Sequence, residues 1–331
     1  MSTPASPETS RIIVADVGGT NGRFAVAHCG AGETRLSDLQ NFNNTELTGF
    51  ADLLALYLEQ LGDSAPGQAC FATAGPNNGR EGFLTNLGWS LDATALEQQF
   101  GLEEILFVND FKALACMAPL LQESSSIPLN QVDAGASGPL TVMGPGTGLG
   151  VAIVLEHDDD IVTISTEGAH IVFAPVTPVE LALRDYLAAD YEHVYAELLL
   201  SGAGLARIHD FLLKESGSGS SELTPAEITS AALRGDDASC SRSVQLFLSI
   251  LGSVAGDLAL SHGALGGVYF GGGVLPRIIP LLEDSDLCER FCAKGVMEPY
   301  MRSIPIRLIT EEHLALKGAA QLFRQHRQQR A

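Results

Sequence analysis

VADVGGTNGRFAVA, residues 14–27, is the most informative stretch of the chain. With Arg11–Ile13 before it, Arg11 to Val17 is a near-continuous apolar run, which suits a strand covered on both faces. Gly18-Gly19-Thr20-Asn21-Gly22 has the composition of a tight turn, and Arg23 to Ala27 reads as a second strand, so the segment is a β-hairpin. Asp16 ends the buried strand just before a turn rich in free N–H groups. Successive turn amides make an anion-binding concavity, and an adjacent carboxylate can hold Mg²⁺, often through water. Such a turn holds nucleotide phosphates without a lysine, and GxxxxGK[ST] is absent, so this is not a P-loop protein. The alternative is an ordinary hairpin with an Asx-type turn.

A second hairpin follows the same plan. Leu140–Met143 and Leu149–Leu155 read as strands joined by Gly144-Pro145-Gly146-Thr147-Gly148, and aligning Thr20 with Thr147 puts Ala25 beside Ala152. Alone, this second turn is best read as a plain hairpin, whereas the first alone reads slightly better as a phosphate site than as a plain turn. Two in equivalent places make a bipartite phosphate clamp, with Gly146 and Thr147 in the second, and suggest a duplicated α/β fold with a cleft between its halves. Gly271-Gly272-Gly273, after a strand at Gly267–Phe270, would let a flat ligand approach the backbone closely.

Outward from these turns, Leu47, Phe50, Leu53, Leu54, Tyr57, Leu58 and Leu61 repeat at helical spacing, with Thr45 or Asn44 as the expected N-cap. Strands are expected at Gln68–Ala74, Ile105–Val108 and Ile304–Ile309. Helices are expected at 92–100, 178–189, 203–213, 225–233, 241–262 and 314–325. The polar stretch 123–138 reads as a linker. Residues 1–10 read as a disordered tail without an apolar signal region. The expected organisation is a small α/β domain, 11–120 plus 311–331, and a large one, 121–310.

The 331 residues are 46% hydrophobic and 18% charged, ample for buried cores. Forty acidic against nineteen basic residues leave a formal charge of −21. That field repels phosphate backbones, so nucleic acid is not an expected partner, and a polyanionic ligand must be held by local devices. The apolar stretch near 246–260 is interrupted by Ser249, Gly252, Ser253 and Asp257, so it reads as a buried helix rather than a membrane span. The six cysteines form no CxxC pair and read as reduced core thiols.

Two polar constellations remain. Asn109-Asp110 ends a strand, where ligands bind in open α/β sheets. A carboxylate there can accept a hydroxyl proton while the amide positions a neighbouring hydroxyl. Asp110 as a plain helix N-cap is at least as good a reading. Glu167-Gly168-Ala169-His170 with Glu197 suits hydrogen bonding to the vicinal hydroxyls of a sugar. It also suits metal ligation, and any one of these residues alone reads as structural.

Taken in order, VADVGGTNGRFAVA, FVNDFKALACMAPLL, MGPGTGLGVA, STEGAHIVFAP, ELLLSGAGL and GGVYFGGGVLPR resemble the bacterial-type glucokinase family, a branch of the actin-like, sugar kinase and heat-shock chaperone ATPase superfold. The resemblance runs from Arg11 to about Gln325. The related repressor-and-kinase family shares both turns but adds a cysteine-rich zinc motif after its ExxGH segment. Here no cysteine follows Pro175 until Cys240. The resemblance implies an actin-like duplicated ribonuclease H-like fold and an ATP- and Mg²⁺-dependent glucokinase forming glucose 6-phosphate for glycolysis. It implies Asp110 as general base for the 6-hydroxyl, and Asn109, Glu167, His170 and Glu197 as holders of the other hydroxyls. Gly18, Gly19, Thr20, Asn21, Gly146 and Thr147 would line the phosphates, Asp16 would orient Mg²⁺, and Gly272 and Gly273 would border the adenosine. It further implies a cytoplasmic homodimer with no membrane partner. The chain has Ala169 where the family often has a second glycine.

Overall fold

β1 (Ser10–Val17) is buried on both faces, and its alternating side chains explain why. Ile13, Ala15 and Val17 enter one apolar cluster with Phe50, Leu53, Leu54 and Tyr57. Ile12 and Val14 enter another with Leu316, Ala319, Ala320 and Phe323. Successive residues of a strand point to opposite faces, so a continuous apolar run needs a cover on each side. The structure, a computed structural model, describes residues 10–30, 34–132, 137–157 and 160–330. The expected disordered tail lies outside the described residues except for Ser10, which opens β1.

The chain divides into two compact units. One runs to Leu120 and resumes at Glu311, and the other spans Leu121–Thr310. The first contains β2 (Asn21–Cys29), β3 (Arg35–Asn43), β4 (Gln68–Thr73), a small hairpin of β5 (Glu81–Leu84) and β6 (Trp89–Asp92), and β7 (Glu104–Asn109). Its main sheet has the order β3-β2-β1-β4-β7, antiparallel among the first three strands and parallel from β1 onward. One cover is α1 (Phe50–Leu61) with α2 (Ala93–Phe100), and the other is the C-terminal helix, Leu314–Gln328, with α3 (Asp110–Ala115).

The expected cap of α1 is not the one found. The helix starts at Phe50 after Gly49, with no side-chain cap. Asn43 instead caps a single 3-10 turn at Asn44–Glu46, and Asn44 is fully buried with its side chain engaged elsewhere, as described below.

The second unit contains β8 (Ser126–Pro128), β9 (Leu140–Pro145), β10 (Leu149–His157), β11 (Asp160–Thr166), β12 (Gly267–Phe270) and β13 (Ile306–Ile309). Their order is β11-β10-β9-β12-β13-β8. The first five repeat the order and the strand directions of the first unit's sheet. The expected linker at 123–138 is therefore partly wrong, because Ser126–Pro128 closes the sheet edge against β13. Three residues are too few for a hydrophobic period to register in the sequence.

Helices α4 (Pro178–Leu187), α5 (Gly202–Glu215), α6 (Pro225–Arg234) and α7 (Ala238–His262) form this unit's main core with the short helices α8 (Ile279–Glu283), α9 (Leu287–Cys292) and α10 (Glu298–Met301). α4 and α6 begin alike, with a Thr/Glu capping box (Thr177 with Glu180, Thr224 with Glu227) and a proline in the first turn. α7 is long and apolar enough to cross a membrane by length and composition, but 78% of its most apolar window is buried inside the protein.

Candidate active site

Strand register alone gathers the first unit's candidates. Val17 pairs with Thr73 and Thr73 with Asn109 across three parallel strands. The next residues, Gly18 and Asp110, therefore leave the sheet at the same carboxyl edge, where open α/β sheets bind ligands.

The glycine turn is held from below. Gly18 N–H donates to the Asn21 carbonyl at 3.0 Å, and Asn44 N–H donates to the Thr20 carbonyl at 2.8 Å. Asn44 Nδ2 donates to the Gly18 carbonyl at 2.8 Å. A Cβ at Gly22 would come within 2.9 Å of Asn44 Oδ1, so this glycine makes room for the brace. Asn44 braces the candidate turn, a role that sequence reasoning missed. It lies 26 positions from Gly18, and its local context signals only a turn. Thr20 and Asn21 at the tip are exposed.

Asn109, not Asp110, is the N-cap of α3. Its Oδ1 accepts from Lys112 N–H at 2.9 Å. The amide therefore caps the helix, and the N-cap role expected of Asp110 falls to Asn109. Asp110 Oδ1 accepts a local hydrogen bond from Phe111 N–H, at 2.7 Å. Burial and the charge of the neighbouring Asp16 push the Asp110 carboxyl up to about 6, against the lowering effect of the Phe111 N–H. Asp16 is also raised by burial, although Arg23, its partner across β2 at 3.5 Å, pulls the other way. Two carboxylates raised by burial beside an amide turn could hold a divalent cation.

In the second unit, Met143 pairs with Phe270 across β9 and β12, so the turn at 144–148 and the triple glycine also leave one sheet edge together. Their backbones are in close contact. A Cβ on Gly144 would lie 2.4 Å from the Gly271 carbonyl, and one on Gly272 (φ +80°) would lie 2.6 Å from the Pro145 carbonyl. Glycine at 144 and 272 thus has an internal steric cause. Gly146 and Gly273 have no neighbour within 4 Å of a built Cβ, and Thr147 is exposed at the turn tip.

The remaining candidates lie on two segments zipped together. Phe173 N–H donates to the Val194 carbonyl and Ala196 N–H to the Ile171 carbonyl, at 2.9 and 3.0 Å. This brings His170, on a 3-10 turn at Gly168–His170, onto the ring of Tyr195, with centroids 4.8 Å apart and planes 17° apart. Glu167 Oε2 lies 3.6 Å from His170 Nδ1, and its side chain is 91% exposed. Glu197 is half-buried and accepts from Leu149 N–H at 2.7 Å, beside the glycine turn. Each unit is thus internally assembled: Asp16, Gly18, Gly19, Thr20, Asn21, Asn109 and Asp110 share one sheet end, and Gly146, Thr147, Glu197, Gly272 and Gly273 cluster around another. Glu167 and His170 are joined to Glu197 through the strand pair. Among the described residues no group of three or more His, Cys, Asp or Glu side chains is arranged to hold a metal by itself. A site completed by phosphate oxygens needs only one or two carboxylates.

A five-strand order occurring twice, with a glycine turn at the first hairpin of each copy, defines the actin-like duplicated ribonuclease H-like fold, and the class is the ATP-dependent hexose kinases built on it. The family profile described as Glucokinase matches residues 13–326. The glucokinase of Saccharophagus degradans is 40% identical over 309 residues, covering 93% of this chain and 96% of that protein. The crystal structure of a glucokinase from an Antarctic psychrotroph superposes with a TM-score of 0.83 at 34% identity, covering 96% of this chain and all of that one. A glucokinase from Balamuthia mandrillaris, solved with glucose, shares the fold at a TM-score of 0.78 and 20% identity, covering 96% and 94%. The chain belongs to the glucokinase family.

Proposed function

We propose that the protein transfers the γ-phosphoryl group of ATP to the 6-hydroxyl of D-glucose, with Asp110 as general base. The observation that carries this reading is the Asn109–Asp110 pair. The amide caps α3, so the carboxylate stands free of the cap at the end of the sheet, raised to about 6 beside Asp16.

An alkyl hydroxyl is far less acidic than a carboxyl. Asp110 therefore accepts the proton as the new O–P bond forms rather than before, a contribution of ~10²–10⁴-fold for a positioned base. A carboxyl near 6 is ionised at neutral pH yet more basic than an ordinary aspartate, which favours that role. Asn109 keeps its Nδ2 donor for a sugar oxygen, since capping occupies only Oδ1. Glu167, His170 and Glu197 take the other hydroxyls, with the His170 ring steadied by Tyr195.

The phosphates lie on the turn amides of Gly18, Gly19, Thr20 and Asn21 and on Gly146 and Thr147, whose tips are open. Gly273, with no neighbour at its Cβ position, borders the adenosine together with Gly272. The Asp16 carboxylate, sharing its sheet end with Asp110, fits a Mg²⁺ ion carried by the nucleotide. When bound, Mg²⁺ neutralises charge on the phosphate oxygens. Phosphoryl transfer depends on positioning and charge stabilisation, and these residues supply both. The same reading makes the enzyme a cytoplasmic homodimer supplying glucose 6-phosphate to glycolysis.

A coupled assay with ATP and a panel of hexoses tests the proposal, with glucose expected as the preferred acceptor. Asp110→Asn is expected to keep glucose and nucleotide binding within a few-fold while lowering kcat at least ~10²-fold. Near-normal turnover in that variant removes Asp110 from the base role, and failure to phosphorylate any hexose removes the function.

A further inference from the structure

Glu197 does something in this fold besides facing a ligand. Its Oε2 accepts the Leu149 N–H at 2.7 Å, the first amide after the glycine turn. The space it occupies exists because residue 148 has no side chain: a Cβ on Gly148 would lie 2.5 Å from Glu197 Oε2. The same stretch of chain grips the turn a second time, where Gly202 N–H donates to the Gly146 carbonyl at 2.9 Å. Glu197 itself is anchored, since Ser201 Oγ donates to its carbonyl at 2.9 Å and accepts from Gly204 N–H at 3.1 Å as the N-cap of α5. Thr147 therefore sits on a turn tied at both ends to residues 197–202, once by backbone and once by a carboxylate.

We propose that Glu197 is a positioning residue for the nucleotide-binding turn as well as a sugar ligand, so that it sets ATP affinity even when no sugar is present. The inference rests on the assignment of Thr147 and its turn to the nucleotide. A carboxylate has two oxygens. Oε2 holds the turn through Leu149, and Oε1 is left for a sugar hydroxyl. A hydrogen bond from a backbone N–H to a charged oxygen is among the stronger ones in a protein, and removing the acceptor leaves that donor without its partner.

The test is the affinity of the full-length protein for the non-hydrolysable ATP analogue AMPPNP with Mg²⁺, by calorimetry without sugar. Glu197→Ala removes the acceptor, and Gly148→Ala pushes the carboxylate tip off the Leu149 N–H without touching the charge. Both are expected to weaken binding about tenfold. Glu197→Gln keeps an acceptor oxygen at the turn and is expected to stay within about threefold of the parent for nucleotide, while its KM for glucose rises. Thr147→Val is the control for the turn itself.

If Glu197→Ala and Gly148→Ala bind AMPPNP within twofold of the parent while Thr147→Val is weakened, Glu197 has no positioning role. If Thr147→Val also binds like the parent, the assignment of this turn to the nucleotide fails, and the positioning role with it. Should Glu197→Ala prove unfolded by circular dichroism, Gly148→Ala decides, because it displaces only a side-chain tip.

Discussion

At the scale of single residues, the chemistry depends on which of two neighbours takes the structural task. The sequence leaves Asp110 with two readings, N-cap and base, and the structure gives the cap to Asn109. Asp110 is then held at a cost. Its carboxyl is raised to about 6 from 3.8, so the folded state holds a proton that the unfolded chain releases between those values. Stability contributed by this group is therefore full below about pH 4 and falls as pH rises to about 6. Above that a constant penalty of about 2–3 kcal/mol remains, by the usual conversion of a pKa shift. Asp110→Asn is thus expected to be more stable than the parent at pH 7–8, and the advantage should vanish near pH 4. Denaturant unfolding of both proteins across that range measures it; equal stability at pH 8 would show that the carboxyl is not destabilised by its surroundings. In the parent, kcat/KM should fall below about pH 6 as Asp110, the proposed base, is protonated.

At the scale of elements, α3 owes its place to its neighbours. A Cβ on Gly318 of the C-terminal helix would lie only 1.6 Å from the Ala113 carbonyl, so the two helices cross backbone to backbone there. Gly318→Ala must push α3, and Asp110 at its first turn, away from the C-terminal helix. The expected result is a loss of stability of ~1–3 kcal/mol or more from overpacking, with kcat falling more than KM rises, because Asp110, the proposed base, is displaced while the proposed sugar contacts of the second unit stay. Thermal unfolding and steady-state kinetics check both, and an unperturbed kcat would show that α3 moves without consequence. This contact also marks what the sequence makes legible. The hairpins at 14–27 and 140–155 announce themselves through glycine turns between apolar runs, and the capped helices through their prolines and Thr/Glu boxes. β3 (RLSDLQNFN) does not, because six of its nine residues are polar and most are exposed. β8 is too short to carry a period, and the brace of Asn44 under Gly18 or of Gly318 against Ala113 spans a sequence distance that no local pattern encodes. The polar candidate residues were identifiable by type and position along strands; the partners that fix them were not.

At the scale of the whole molecule, the same five-strand order serves twice, and each copy offers its first hairpin turn at one sheet edge. Backbone amides suit this protein because its formal charge of −21 would otherwise oppose any polyphosphate. Amide dipoles bind anions at fixed positions without changing that charge. The same charge acts on stability. Packing an excess of carboxylates into a folded volume costs repulsion that the expanded unfolded chain relieves, and salt screens it over about 10 Å at 0.1 M. Salt also weakens attractive pairs, so the sign depends on which pairs are exposed. Arg290–Glu180, at 2.7 Å with side chains 13% and 1% exposed, is shielded from ions and should change little. Pairs such as Arg184–Asp185 and Arg234–Asp236 are open to solvent and contribute little at any ionic strength. Relief of repulsion should therefore win, and the unfolding midpoint should rise by a few degrees between about 10 and 300 mM NaCl. The rise should be matched by choline chloride at equal ionic strength, since screening does not depend on the cation. A midpoint that falls with salt in a thermal melt would mean that exposed ion pairs, rather than the surplus of acids, dominate the electrostatics of this fold.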